Sequence, residues 1–253
     1  MTRSLTLTAL PGIPEVERDA PLGDLLMAAT QRASLSLQPG DIFVLAQKIV
    51  SKAEGRAVTL ASVTPSTRAQ QIANEAHKDP RIVELMLRES NQVLRVKPGI
   101  IITEHRLGFI MANAGIDQSN LPGGDEAVLL LPVNPDASAR QLRAEISERT
   151  GTDVGVLIID SFGRAWRHGV TGTAIGVAGL PALVDLRGGK DREGRVLKVT
   201  QVAAADELAA AASLVMGQAD DGTPAVLVRG FHYARRESSV RELLRPEAED
   251  LFR

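Results

Sequence analysis

The run Val154 to Ile159 has no polar side chain, and it delivers Asp160 and Ser161 directly after it. An aliphatic run of that length reads as a central strand, and the carboxyl ends of such strands are where open sheets place reacting groups. A carboxylate beside a hydroxyl is a pair of hard oxygens suited to Mg2+ or Mn2+. Arg164 and Arg167 follow at once, and guanidinium groups grip phosphate or carboxylate through two parallel hydrogen bonds. The segment therefore predicts a divalent cation and an anion handled together, with Arg164 and Arg167 holding an anionic acceptor. Of all the segments, this one carries the strongest chemical signal.

Four further segments have suitable residue types. In Asn113-Ala-Gly-Ile-Asp117-Gln-Ser-Asn120, one carboxylate stands among amide and hydroxyl oxygens. That set fits a hard cation, and it equally fits an Asx-rich turn. In Gly40 to Gly55, an apolar strand runs into Gln47, Lys48 and Lys52. The chain has only six lysines against 23 arginines, and two of the six fall here. A lysine is a mobile point charge suited to phosphate, the plain alternative being a solvated strand exit. Leu10-Pro11-Gly12-Ile13-Pro14 is a stiff turn whose glycine permits close backbone approach. Met216-Gly217-Gln218-Ala219-Asp220-Asp221-Gly222-Thr223 reads as a helix stop and turn, or as carbonyls and a Gln218 oxygen facing a cation or a base.

Composition removes several function classes. Lys+Arg total 29 against 31 for Asp+Glu, a net charge of −2, which lacks the basic excess of a polyanion binder. Aromatic residues make up 3%, too few for a stacking platform on single-stranded nucleic acid. With no cysteine there is no disulfide, thiolate zinc site, iron–sulfur cluster or cysteine nucleophile. A phosphate loop of the GxxxxGK[ST] type is missing, since Gly189-Lys190 leads into Asp191 and Val184 stands at the first glycine. Gly172, Gly176 and Gly179 do not make GxGxxG, and neither HExxH nor GxSxG occurs. His77, His105, His168 and His232 are scattered. The amino-terminal segment lacks an apolar signal core, and no apolar run reaches membrane-spanning length. The expectation is a cytoplasmic protein binding neither nucleic acid nor membrane.

Strands are predicted over Ile42 to Ala46, Val93 to Val96, Val128 to Leu131, Val154 to Ile159, Val196 to Thr200 and Ala225 to Val228. Helices are predicted from a Ser66-Thr67 cap to Ala76, from Asp79-Pro80, from Asp136 to a stop at Gly151, and from Ala203 to Met216 before Gly217. A last amphipathic helix is expected over Ser238 to Phe252. Between Gly99 and Gly124 short strands and turns follow one another without helices, which breaks βαβ alternation and indicates an α+β class with mixed sheets and flanking helices. Residues 1–253 read as one unit, with a subdomain boundary near residues 123–135.

Taken together, the segments resemble the coenzyme F420-0:L-glutamate ligase family, which adds γ-linked glutamates to a deazaflavin coenzyme. The resemblance spans nearly the whole chain in ordered blocks: LPGIPEV, GDIFVLAQKIVSKAEGR, ANAGIDQSN, LLPVNPDASARQLR, VGVLIIDSFGRAWRHG, AIGVAGLPALVDLRG, DREGRVLKVTQVAAADELAAAASLVMGQ and GTPAVLVRG. It implies the stand-alone form of the enzyme, without the nitroreductase-like domain of longer fusions. It further implies GTP as co-substrate, Mg2+ or Mn2+, helpful K+, and an unusual α+β fold in an intertwined homodimer. By position it assigns Asp117, Asp160, Ser161 and Gln218 to metal, some relatives having Glu at the last. Leu10, Pro11, Gly12 and Ile13 match one guanine-nucleotide segment, and Gln47, Lys48 and Lys52 a second, where some relatives have Ser-Thr in place of Gln47-Lys48. Asn120 and Met216 to Thr223 match the remaining nucleotide contacts.

The chemistry implied is amide formation. The GTP γ-phosphoryl group passes to the F420-0 carboxylate, L-glutamate displaces phosphate, and a second cycle turns F420-1 into F420-2. Asp117, Asp160 and Lys52 are the expected catalytic residues. A metal-dependent GTP hydrolase or kinase is the rival enzyme, and a GTP-sensing scaffold the rival without turnover.

Overall fold

The computed structural model describes residues 3–118, 124–218 and 221–250. In chain order the elements are β1 (Thr6–Ala9), α1 (Leu22–Arg32), β2 (Ile42–Ala46), α2 (Gln47–Ala53), β3 (Ala57–Thr59), α3 (Thr67–Ala76), α4 (Pro80–Arg88), β4 (Ser90–Lys97) and β5 (Ile100–His105). There follow β6 (Ile110–Ala112), β7 (Ala127–Leu129), α5 (Pro135–Thr150), β8 (Gly155–Arg164), β9 (Arg167–Ala178), β10 (Val184–Asp185), β11 (Gln201–Val202), α6 (Ala204–Met216) and β12 (Ala225–Arg229). The class is α+β, as expected.

The main sheet runs β1-β12-β2-β8-β9, with β2 and β8 parallel and every other neighbour antiparallel. Its aliphatic strands form the larger core with α1, α5 and α6. A second apolar cluster joins α3 and α4 to Ile101, Val128 and Leu130, beside the antiparallel sheet β4-β5-β6. Two helix starts are legible in the sequence. The Ser66 hydroxyl accepts from Ala69 N–H, and the Asp79 carboxylate accepts from Arg81 N–H ahead of Pro80. Helix α5 is capped by the Asn134 side chain, two residues before the expected start at Asp136, and stops at left-handed Gly151.

A buried charge cluster ties the second apolar cluster to the main body. Glu89 Oε2 lies 2.8 Å from Arg56 Nη2, 3.1 Å from Arg106 Nε and 3.5 Å from His105 Nε2. His105 Nδ1 accepts the Leu107 N–H, so the proton sits on Nε2 and faces the carboxylate. Both arginines also donate to the segment that leads from β7 into α5, Arg56 to Leu131 O at 2.9 Å and Arg106 to Val133 O at 3.2 Å. Burial alone would raise the Glu89 pKa, but the His105 N–H, the Arg56 guanidinium and the charge of Arg106 outweigh it and hold the carboxyl at about 2.

Strand β9 forms an edge of the main sheet, and side chains blunt that edge. Gly172 N–H donates to Ser213 Oγ, Ala174 N–H to Asp206 Oδ1 and Val177 N–H to Asp136 Oδ1. The strand itself was not foreseen, and three glycines, Gly169, Gly172 and Gly176, interrupt its pattern. Two of them exist for packing: a Cβ on Gly172 would stand 2.4 Å from Ala209 O of α6, and one on Gly176 would stand 2.5 Å from Pro135 O of α5.

Two expectations fail. Residues Ser238 to Asp250 form two 3-10 turns, Val240–Leu243 and Glu247–Glu249, where one helix to Phe252 was expected. Pro246 lies between them, and proline removes a helical N–H while its ring collides with the preceding turn. Residues 251–253 lie outside the described residues. Val196 to Thr200 makes no strand beyond a single bridge from Val196 to Lys190, and Val196 and Val199 are 56% and 83% exposed. A β-branched run without a sheet to cover it has no burial to stabilise it.

Candidate active site

The parallel pair β2 and β8 creates the site. Strand β2 stops at Ala46, which pairs with Ile159, and the chain turns there into α2. From Asp160 onward β8 has lost that neighbour and continues as a hairpin with β9 to Arg164. On the other side, Ala46 N–H donates to Pro224 O at 2.8 Å, which holds the turn before β12 at the same level. The gap above these ends is a cleft of about 960 Å³, walled by Glu15, α2, the Asn113–Asp117 segment, residues 160–163 and the turn after α6.

Asp117 is fixed through its backbone. Its N–H donates to Leu129 O at 3.0 Å and its carbonyl accepts from Leu129 N–H at 2.8 Å. Its carboxylate reaches Lys48 Nζ of α2 at 2.6 Å. One helical turn on, Lys52 pairs with Glu15. Gln47 is buried, with its Oε1 accepting from the Ser51 hydroxyl at 2.7 Å. The segment after β2, for which a solvated strand exit was the plain alternative, is helix α2, whose first residue follows Ala46 with no capping side chain to announce it.

Asp160 has its carboxyl pushed up to about 7. Burial is the main cause; the Ser161 N–H counters it, the Asp117 charge adds to it and Lys48 counters it again. Ser161 Oγ donates to Gln218 Oε1 at 2.9 Å, which joins β8 to the end of α6. Two carboxylates close enough to feel each other, with hydroxyl and amide oxygens beside them, make an all-oxygen donor set. Among the described residues no three His, Asp or Glu gather as a cation cage. The set therefore fits a hard cation held by one or two carboxylates and completed by phosphate oxygens, the usual mode for Mg2+.

The expected residues separate into two groups. Ile13, Gln47, Lys48, Lys52, Asp117, Asp160, Ser161, Met216, Gly217, Gln218, Asp221, Gly222 and Thr223 line the one cleft. Asn120, Ala219 and Asp220 lie outside the described residues. Leu10 is fully buried in the main core, and the Pro11 and Gly12 carbonyls accept from the Arg32 guanidinium. Arg164 and Arg167 pair across the tip of the β8–β9 hairpin, with Arg164 Nη2 donating to His168 O, and the cleft lining on that strand ends at Gly163. Glu15, Asn113 and Ser213 line the cleft without having been picked out as site residues. Of these, only Asn113 stood inside a segment singled out for its chemistry, and nothing local separated it from turn residues.

A family model described as F420-0:Gamma-glutamyl ligase matches residues 12–230. The chain belongs to that family. Among curated relatives, the Methanothermobacter thermautotrophicus protein named coenzyme F420:L-glutamate ligase is 45% identical over 251 residues, covering 98% of this chain and 99% of its own. The protein of the same name from Methanopyrus kandleri is 48% identical over 242 residues, covering 94% of this chain and 95% of its own. That of Archaeoglobus fulgidus is 42% identical over 242 residues, covering 96% of this chain and 94% of its own. Like other F420-0:gamma-glutamyl ligases, the chain is a ligase by family. Among the described residues no helix is long and apolar enough to cross a membrane.

Proposed function

We propose that this protein joins L-glutamate to coenzyme F420-0 through an amide bond at the expense of GTP, and then adds a second, γ-linked glutamate to give F420-2. The reading is supported by one observation above others: Lys48, Asp117, Asp160, Ser161, Gln218 and Lys52 meet in a single cleft in a chain of this family. Free carboxylate does not react with an amine, so it must first be activated. Transfer of the γ-phosphoryl group breaks the bond from the γ-phosphorus to the β–γ bridging oxygen, forms a carboxylate–phosphorus bond and releases GDP. The glutamate amine then attacks the acyl carbon, phosphate leaves with the bonding pair, and the amine gives up a proton.

Asp117, Asp160, Ser161 and Gln218 would hold Mg2+ or Mn2+, whose chemistry there is to offset charge on the phosphoryl oxygens during transfer. Lys52, whose ammonium is largely screened from solvent beside Glu15, offsets phosphate charge from the α2 side. Lys48 holds the Asp117 carboxylate in place before ligands arrive. Arg164 and Arg167, at the hairpin tip, hold the anionic acceptor. K+, a homodimer and a cytoplasmic location accompany this reading.

The test is mass spectrometry of products from purified protein, GTP, Mn2+, L-glutamate and F420-0. Products heavier by one or two glutamyl units with matching GDP support the ligase. GDP without glutamylated product replaces it with a hydrolase, and no GTP turnover by folded protein replaces it with a binding protein.

A further inference from the structure

Just before Asp117 the chain makes a left-handed turn of three consecutive residues. Asn113, Ala114 and Gly115 have φ of 52°, 52° and 65°. Ile116 N–H donates to Asn113 O at 3.0 Å to close the turn. Left-handed backbone is unfavourable for an L-residue with a side chain, and asparagine bears it best. Such strain persists only where surrounding structure enforces it, and it gathers at functional sites. Here the enforcement is visible: Ala114 is buried in the second apolar cluster, and Asn113 Oδ1 accepts the Ile101 N–H at 3.1 Å.

That last bond decides what Asn113 offers to the cleft it lines. With the side-chain oxygen committed to Ile101, the amide nitrogen remains, and an amide NH2 only donates. Among the described residues no protein group accepts from it. A donor cannot ligate a cation, but it suits an oxygen carrying negative charge. We propose that Asn113 is a further ligand-binding residue of this cleft, its amide NH2 donating to an anionic phosphate or carboxylate oxygen of a bound substrate. The assignment of substrates rests on the ligase reading above, while the donor itself rests on the geometry of the turn.

Asn113→Asp separates the donor from the structural role. Aspartate tolerates the left-handed backbone and keeps an oxygen for Ile101 N–H, but it loses the donor. Asn113→Gly loses the donor without adding charge and suits the positive φ. Calorimetric titration without F420-0 would use three probes: GTP with Mn2+, inorganic phosphate and L-glutamate. A hydrogen bond to a charged group is worth about 1.5–3 kcal/mol, so both variants are expected to bind one probe roughly 10- to 100-fold more weakly, with the Tm of Asn113→Asp close to that of the parent. Loss for GTP and phosphate identifies a phosphoryl oxygen; loss for glutamate identifies its carboxylate. Parent-like binding of every probe by Asn113→Asp overturns the proposal. Weakening in only one of the two variants also overturns it, since that is the mark of added charge or of a lost structural bond. Failure of the parent to glutamylate F420-0 would refute the ligase reading alone, because the binding comparison does not depend on turnover.

Discussion

Replacing Glu89 by Gln tests whether the buried charge cluster stabilises the fold by a calculable amount. The Glu89 side chain is 12% exposed and its carboxyl is held at about 2, against the ordinary glutamate value of 4.5. A carboxyl with a depressed native pKa stabilises the fold in full above the unfolded value, and that stabilisation is lost as pH falls toward the native value. The difference corresponds to about 3 kcal/mol at neutral pH, at about 1.36 kcal/mol per unit. By the same linkage it shrinks to about 2 kcal/mol at pH 3.5 and vanishes below about pH 2. Glutamine keeps the shape but not the charge, and it leaves Arg56 and Arg106 beside a neutral amide. Urea unfolding of parent and Glu89→Gln at pH 7, 5 and 3.5 would measure the gap directly. A gap of about 3 kcal/mol at pH 7 and 5 that narrows at pH 3.5 is expected. A gap below about 1 kcal/mol at pH 7, or one that does not change with pH, would refute the reasoning, since the desolvation of four charged or polar groups would then cancel their attraction.

Three other substitutions probe the site. Asp160→Asn should abolish glutamylation, by about 1,000-fold or more, while far-UV circular dichroism and urea midpoint stay at or above parental values, because a buried carboxyl is being neutralised. Gln218→Glu adds a carboxylate beside Ser161, and a Mn2+ titration should show tighter binding by roughly tenfold, about 1.4 kcal/mol; unchanged affinity would remove Gln218 from the donor set. Gly172→Ala places a methyl 2.4 Å from Ala209 O and should lower stability by about 1–3 kcal/mol in thermal unfolding, with activity falling as the α6 end that carries Gln218 shifts.

Local chemistry was legible in the sequence wherever a side chain acts on its own neighbours. Ser66, Asp79-Pro80 and Gly151 announced helix boundaries because each satisfies or closes backbone within a few residues. The aliphatic runs of β2, β8 and β12 were legible because a fully covered strand needs no polar face. The family motifs assigned Asp117, Asp160, Ser161 and Gln218 to one site, and all four line the same cleft.

Tertiary structure decided what depends on partners distant in sequence. Strand β9 was hidden because its glycines answer to α5 and α6, not to their own neighbours. The carboxyl-terminal stretch had helical periodicity, but Pro246 splits it into two turns. Leu10 carries a nucleotide-segment motif yet lies fully in the core, because a motif fixes residue order and only packing fixes which way a side chain turns. The charge cluster around Glu89 joins positions 56, 89, 105 and 106, and the Asp160 carboxyl is pushed up first by burial, with the charge of Asp117 from another element adding to it. Sequence thus determined the chemical inventory and most local elements of this protein. Distances, burial and the shared cleft arose only when the parallel ends of β2 and β8 brought those residues within reach of one another, since Coulombic and hydrogen-bonding energies are set by separation in space.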